Sequence, residues 1–195
     1  KELSPQQGFA EYEIMLQKIP QLLESLIQKF EWELPKSIES LLDCTSFFVI
    51  GSGPNYATAD EAAIGFSQSM GVPAQSFQLQ NFLNGPIHAL KSNMGVVLIA
   101  ADGLFQKKML AAARACKIIG AKVILLLPEN VVPPVEFDVV IKLPPGIPET
   151  LSPLITISPL WQLAYQFSLL GRGCHPDRLS IDRPEFQEAF RIIKQ

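Results

Sequence analysis

Three short runs in this chain, FFVIG at 47–51, GVVLIA at 95–100 and AKVILLL at 121–127, are apolar but for Lys122 near the start of the third. A strand with one face in water alternates apolar and polar residues, whereas a strand without alternation is buried on both faces. The segments between the runs are long enough for helices, and strands alternating with helices imply a parallel sheet covered on both sides. PAQSFQ at 73–78 reads as a weaker strand and FDVVIKL at 137–143 as a last one, which makes four or five strands. Helices are expected from Ala57 to Met70, from Leu104 to Ile119, and from Ser152-Pro153, a cap and first-turn pair, to Leu170, with Gly171 as the stop. Upstream, apolar positions recur at helical spacing from Phe9 to Phe30. Pro20 should split that stretch or bend it, and Pro35 should open another short helix ending near Leu42. Ligands of such sheets sit beyond the carboxyl ends of the strands, here Gly51 to Asn55, Ala101 to Leu104 and Pro128 to Asn130.

The segment 153–170 is apolar around most of its circumference, from Leu154 through Trp161 to Leu170. A helix of that kind is buried all round, so it is expected to pack on its own sheet and on another domain or subunit. Composition agrees: 48% of the 195 residues are hydrophobic and 18% charged. The net charge is −3 and Lys or Arg never exceed two in a row, which argues against nucleic acid or an anionic membrane as partner. No apolar run reaches the length of a membrane span. Cys44, Cys116 and Cys174 are odd in number and widely spaced, as reduced thiols of a cytoplasmic protein would be. His88 and His175, the two histidines, do not supply a clustered metal site, so no metal is expected. Beginning at Lys1 rather than a methionine, the chain is read as a trimmed piece or as one half of a longer protein.

The turn after the first strand decides between phosphate-binding folds. GxxxxGK is absent, which excludes a P-loop. Gly51 and Gly53 begin a GxG pattern, but Tyr56 takes the place of its last small residue. No carboxylate follows in VPAQSFQ, where a dinucleotide fold needs one. No cofactor is therefore expected. Ser52, Asn55, Thr58 and the amides opening the next helix remain as candidates to hold an anion or sugar hydroxyls.

Three longer stretches have a familiar look. PQQGFAEYEIMLQKIPQLLESLIQ is a helical lead-in, FFVIGSGPNYATADEAAIGFSQSMGVPAQSFQLQNFLNGPIHAL runs strand, turn, helix, short strand and Gly-Pro turn, and SPLWQLAYQFSLLGRGCHPDRLS is a final helix with its tail. In this order they resemble the sugar isomerase (SIS) domain family, and in particular the second of the two such domains in amino-sugar and fructosamine-phosphate enzymes. The resemblance implies an α/β fold, a flavodoxin-like three-layer sandwich with a five-strand parallel sheet. It divides the chain into a lead-in at 1–42, the SIS domain at 43–172 and, at 173–195, a tail closing over the site. It implies a phosphorylated sugar as ligand, and a homodimer or pairing with another SIS domain.

In two-domain relatives, the resemblance implies, the first domain holds the phosphate with hydroxyl-rich loops and the second contributes catalytic side chains. Where a phosphate loop would show Ser and Thr, this chain has AADGLF, and the Asp102 carboxylate repels phosphate unless a cation intervenes. Aldose–ketose isomerisation needs a base between C1 and C2 and an acid to open the ring, usually Glu and His. Carried over residue by residue, the glutamate falls on Gln68, the histidine on Asn84, a helix lysine on Gly65 and the tail lysine near Ile181 to Arg183. Amides hydrogen-bond a sugar but do not shuttle protons. Glu61, two helical turns before Gln68, and His88, one turn after Asn84, are the available substitutes as catalytic residues. Arg178 in CHPDR is the candidate for the phosphate. The expected binding set is thus Gly51, Ser52, Gly53, Asn55, Thr58, Gln68, Asn84 and Arg178. Two functions stay open: a phosphosugar isomerase or deglycase with a displaced or donated base, and a binding module without turnover.

Overall fold

In the computed structural model, which describes residues 5–194, the run at 46–51 is the second-from-edge strand of a five-stranded parallel sheet. Residues 1–4 and 195, the outermost ends of the expected lead-in and tail, lie outside the described residues. The strands are β1 (Ser46–Gly51), β2 (Ala74–Gln78), β3 (Met94–Ile99), β4 (Lys122–Pro128) and β5 (Val139–Leu143), in the order β2-β1-β3-β4-β5. Val49 stands opposite Val97 and Val97 opposite Ile124, so side chains of like direction line up across the sheet. Phe47, Val49, Val97, Ile99, Ile124 and Leu126 fill one face; Ile50, Val96, Leu98, Val123, Leu125 and Leu127 fill the other. That is why these strands carry no polar alternation.

Helices α2 (Asn55–Met70) and α5 (Pro153–Arg172) cover the first face, and α3 (Leu79–Asn84) and α4 (Gln106–Ile119) the second, giving three layers. Phe47 is the pivot of the first face. Its ring meets Phe66 of α2 and Phe167 of α5 edge-on, with centroids 5.5 Å and 5.9 Å apart. Gly95 on the neighbouring strand makes the space, because a Cβ there would overlap the Phe47 ring.

Helix α1 (Pro5–Ser37) differs from expectation. It runs unbroken through Pro20, and Pro35 lies near its end rather than opening a new helix; only a 3-10 turn, Ile38–Leu41, follows. Ile19, Leu26, Phe30 and Leu34, on one helical face, are buried in the same core as α5. Their burial outweighs the one hydrogen bond that Pro20 removes. The stop of α5 also moves. Gly173, at φ 68°, closes the helix, while Gly171 lies inside it, where a Cβ would press on Leu42 and Phe167. Within this chain Ile155, Leu160, Leu163 and Phe167 of α5 face the core, whereas Leu154, Trp161, Tyr165 and Leu170 are open to solvent. The chain continues into α6 (Arg178–Ile181) and α7 (Pro184–Ile193), the latter without a buried side chain.

Among the described residues no helix is long and apolar enough to cross a membrane. Burial pushes the thiol of Cys44 up to about 11 and that of Cys116 up to about 12, so both are packing groups.

Asp138 ties the amino end of the sheet to α4. Its Oδ2 accepts from Lys117 Nζ and Val123 N, each at 2.8 Å, and Lys122 Nζ stands 3.7 Å from Oδ1. Burial alone would raise its pKa; the bond from Lys117, the bond from Val123 N–H and the two ammonium charges outweigh this and hold it below the ordinary range. A depressed carboxylate stabilises the fold above its unfolded pKa and loses that contribution as pH falls through its folded pKa. Asp138→Asn should therefore cost about 1–3 kcal/mol at neutral pH. In urea titrations the gap between variant and wild type should narrow below about pH 4; a gap independent of pH contradicts the ion-pair account.

Candidate functional site

The strand order reverses between β1 and β3, and the crevice beyond their carboxyl ends is where this sheet type takes ligands. One wall is the turn Gly51–Asn55. Gly51 is required, since a Cβ there would overlap the Asn55 carbonyl, and Gly53 sits at φ 53°. The first amides of α2 are spent inside this turn: Asn55 N, Tyr56 N and Ala57 N donate to Ser52 O, Gly53 O and Pro54 O at 3.1–3.2 Å. The helix start expected to offer free N–H groups to an anion does not offer these three.

The polar side chains of this wall point into the protein. Asn55 is buried in the seam between α2 and α5, where its Nδ2 donates to Ser152 Oγ at 2.7 Å and its Oδ1 accepts from Thr156 Oγ1 at 2.7 Å. Thr58 Oγ1 lies 3.4 Å from Thr156 Oγ1. Ser152, expected to cap α5, instead donates to Glu149 O at 2.7 Å. The partners of Asn55 and Thr58 are not legible locally, because each of those pairs joins segments about a hundred residues apart. Ser52 is only 5% exposed, and its Oγ has no protein partner.

The opposite wall, Ala101–Phe105, and the loop before α5 close on this turn. Asp102 Oδ2 accepts from Gly146 N at 3.0 Å and Oδ1 from Gln106 Nε2 at 3.2 Å; Glu149 Oε2 accepts from Leu104 N at 3.2 Å. What remains between Ser52, Asn55, Asp102, Gln106 and Glu149 is a void of ≈ 10 Å³, room for about one water. Glu149 escaped the sequence reading, since nothing in GIPETLSP marks it out.

The other expected residues lie elsewhere. Asn55 and Gln68 are on one helix, and their separation corresponds to a rise of about 20 Å. Gln68 lines a groove of ≈ 770 Å³ at the amino end of the sheet, with Ser67, Pro73, Arg172, Asp177, Ile181, Arg183 and Phe186. Arg172 is pinned there by its Nε, which donates to Met70 O at 2.8 Å. Arg183 Nη2 pairs with Glu185 at 2.8 Å. Arg178, on α6, is exposed and stands 3.8 Å from Asp182. Glu61 is exposed between the two ends of α2. Asn84 and His88 are exposed at the turn after α3; Asn84 Oδ1 accepts from Gln80 Nε2 at 3.1 Å. The expected set is thus dispersed over a closed crevice, an open groove and a separate turn. Among the described residues, no group of three or more His, Cys, Asp or Glu gathers as metal ligands do.

No protein-family model matches the chain. A glutamine–fructose-6-phosphate aminotransferase (isomerizing) of Thermococcus kodakarensis is 33% identical over 163 residues, 84% of this chain and 26% of that protein. The same enzyme of Gloeobacter violaceus is 31% identical over 173 residues, 87% of this chain and 27% of that protein. The chain spans about a quarter of the length of these curated relatives. The C-terminal domain of glucosamine-fructose-6-phosphate aminotransferase from Francisella tularensis superposes with a TM-score of 0.77 at 24% identity, covering 87% of this chain and 47% of that one. Tagatose-6-phosphate ketose/aldose isomerase from Escherichia coli gives 0.65 at 18%, covering 80% and 44%. Five parallel strands in this order, covered by helices on both faces, together with these likenesses, give the chain the fold of a SIS domain. It resembles the isomerase half of glutamine–fructose-6-phosphate aminotransferase.

Because Asn55 is held inside the seam, Asn55→Ala should lower stability by about 1–3 kcal/mol through the unpaired Ser152 and Thr156 hydroxyls. Chemical denaturation measures this. An unchanged midpoint would mean that the amide faces outward.

Proposed function

We propose that this SIS domain recognises a hexose 6-phosphate or its amino derivative in the groove between α2 and the tail, and that it carries no complete proton shuttle of its own. One observation supports this above others. Gln68, onto which the resemblance carries a catalytic glutamate, lines the same groove as Ile181 and Arg183, the ends of the stretch near which it carries a tail lysine, although the first is on α2 and the others are in the tail. The guanidinium groups of Arg172 and Arg183 supply donors of the kind that hold phosphate. The side chains of Gln68 and Ser67 can pair with sugar hydroxyls. In this reading the segment 173–195 is the tail that closes over the sugar.

The chemistry is thinner than the binding. Gln68 cannot take a proton from carbon at neutral pH, and Ile181 offers no amine. Asp177 is the single carboxylate among the groove's described lining residues, and neither Glu61 nor His88 lines it. A second reading is favoured by the likeness to isomerizing aminotransferases of which the chain spans about a quarter. There, another SIS domain or a second copy completes the site, with Glu61 or His88 as the groups on this chain that could move a proton. The open apolar side chains Leu154, Trp161 and Tyr165 of α5 and Ile64 of α2 suit such pairing, in a cytoplasmic dimer.

Glucosamine 6-phosphate or fructose 6-phosphate at 100 times its dissociation constant should stabilise the protein by about 2.7 kcal/mol in a thermal shift. Gln68→Ala should weaken that binding about 2- to 10-fold, the worth of a hydrogen bond. In deuterated water the isolated chain should leave C1 and C2 of these sugars unexchanged by NMR. Stabilisation by nucleotides alone refutes the ligand class, and exchange that disappears in Glu61→Gln or His88→Ala establishes the second reading. Light scattering at micromolar concentration should give twice 21.5 kDa; the monomer mass would show that the open α5 face is ordinary surface.

A further inference from the structure

The crevice between β1 and β3 is where a sheet of this order takes ligands, yet in this chain a side chain is already in it. Glu149 comes from the loop between β5 and α5, and its carboxylate reaches across both walls. On one side Oε1 lies 3.0 Å from where a Cβ of Gly53 would be; on the other, a Cβ at Gly103 would collide with the carboxylate. Leu104 N–H donates to Oε2 at 3.2 Å. Asp102 fastens the same loop from below through Gly146 N at 3.0 Å, and Ser152 fastens its far end through Glu149 O at 2.7 Å. We infer that Glu149 is the resident anion of the switch-point crevice, an autoinhibitory contact that shuts it to phosphate-bearing ligands.

Charge and space both follow from the geometry. A phosphate entering between Ser52 and Leu104 would meet two carboxylates, Asp102 and Glu149, and would have to displace the bond to Leu104 N–H. The ≈ 10 Å³ void that remains does not admit one. Both glycines belong to the device: a Cβ at Gly103 would stand where the carboxylate now lies, and one at Gly53 would press on Oε1. Ser52 Oγ, buried and without a partner beside this void, is the polar group the closure leaves behind. The inference goes beyond the proposed function and stands without it, since it concerns the other end of α2 and is tested with inorganic phosphate alone.

The test is an amide NMR titration with inorganic phosphate. In the wild type the signals of Gly53 and Leu104 should not move up to tens of millimolar. In Glu149→Ala combined with Asp102→Asn, which frees the Leu104 amide and removes both charges, phosphate should shift them in a saturable way. Hydrogen exchange at Leu104 should rise about tenfold or more in Glu149→Ala. Glu149→Gln keeps the shape and the acceptor, and should leave that exchange slow. Saturable shifts in the wild type, shifts in neither protein, or unchanged exchange in Glu149→Ala would each overturn the inference. The wild-type titration keeps it falsifiable should the double variant not fold.

Discussion

A parallel sheet that is apolar on both faces must be covered twice, and most of this structure follows from that requirement. Phe47 concentrates it. One ring on β1 packs against α2 through Phe66 and against α5 through Phe167, in space left by Gly95. Two buried edge-on aromatic contacts are worth about 0.5–1.5 kcal/mol each beyond the area they bury. They also fix which two helices lie side by side. With α2 and α5 neighbours, α1 can lay Ile19, Leu26, Phe30 and Leu34 into the same core, and Pro20 is carried along in an unbroken helix.

The same adjacency decides the chemistry. Both α2 and α5 start beyond the carboxyl ends of the strands, so their first turns meet there. The meeting is polar: Asn55, Ser152 and Thr156 satisfy one another in a buried network, and the loop ahead of α5 is drawn across the crevice with Glu149 at its tip. A crevice used in this way is part of the packing. The far ends of the two helices are free of that constraint. There Gln68 and Arg172 border an open groove together with Asp177, Ile181 and Arg183 of the tail. One end of the domain is closed by its own side chains, and the other presents amides and guanidinium groups.

Legibility divides along the same line. The five strands, the Gly51 turn and the resemblance to SIS domains were readable because they rest on local signals, apolar runs, glycines and motif order. The candidate residues at 51–58 were readable as a turn but not as packing groups, since Asn55 and Thr58 find their partners on α5. Gly171 looked like a helix stop because glycine after an apolar run usually is one; in fact it makes room for Leu42 and Phe167, and Gly173 carries the left-handed turn. Glu149 left no trace in the sequence, because a carboxylate in a Pro-rich loop has no pattern of its own.

By itself the sequence determined the class of fold, through unbroken apolar strands that only a doubly covered parallel sheet can bury. It also placed amides, Gln68 and Asn84, at the two positions where the resemblance implies a glutamate and a histidine. Only the tertiary structure decided which end of the domain is open. That depended on α2 and α5 lying side by side, which brings a loop from far along the chain over the first turn and carries its carboxylate into the crevice. Long-range contacts of this kind are set by packing geometry, and no local window of sequence contains both partners.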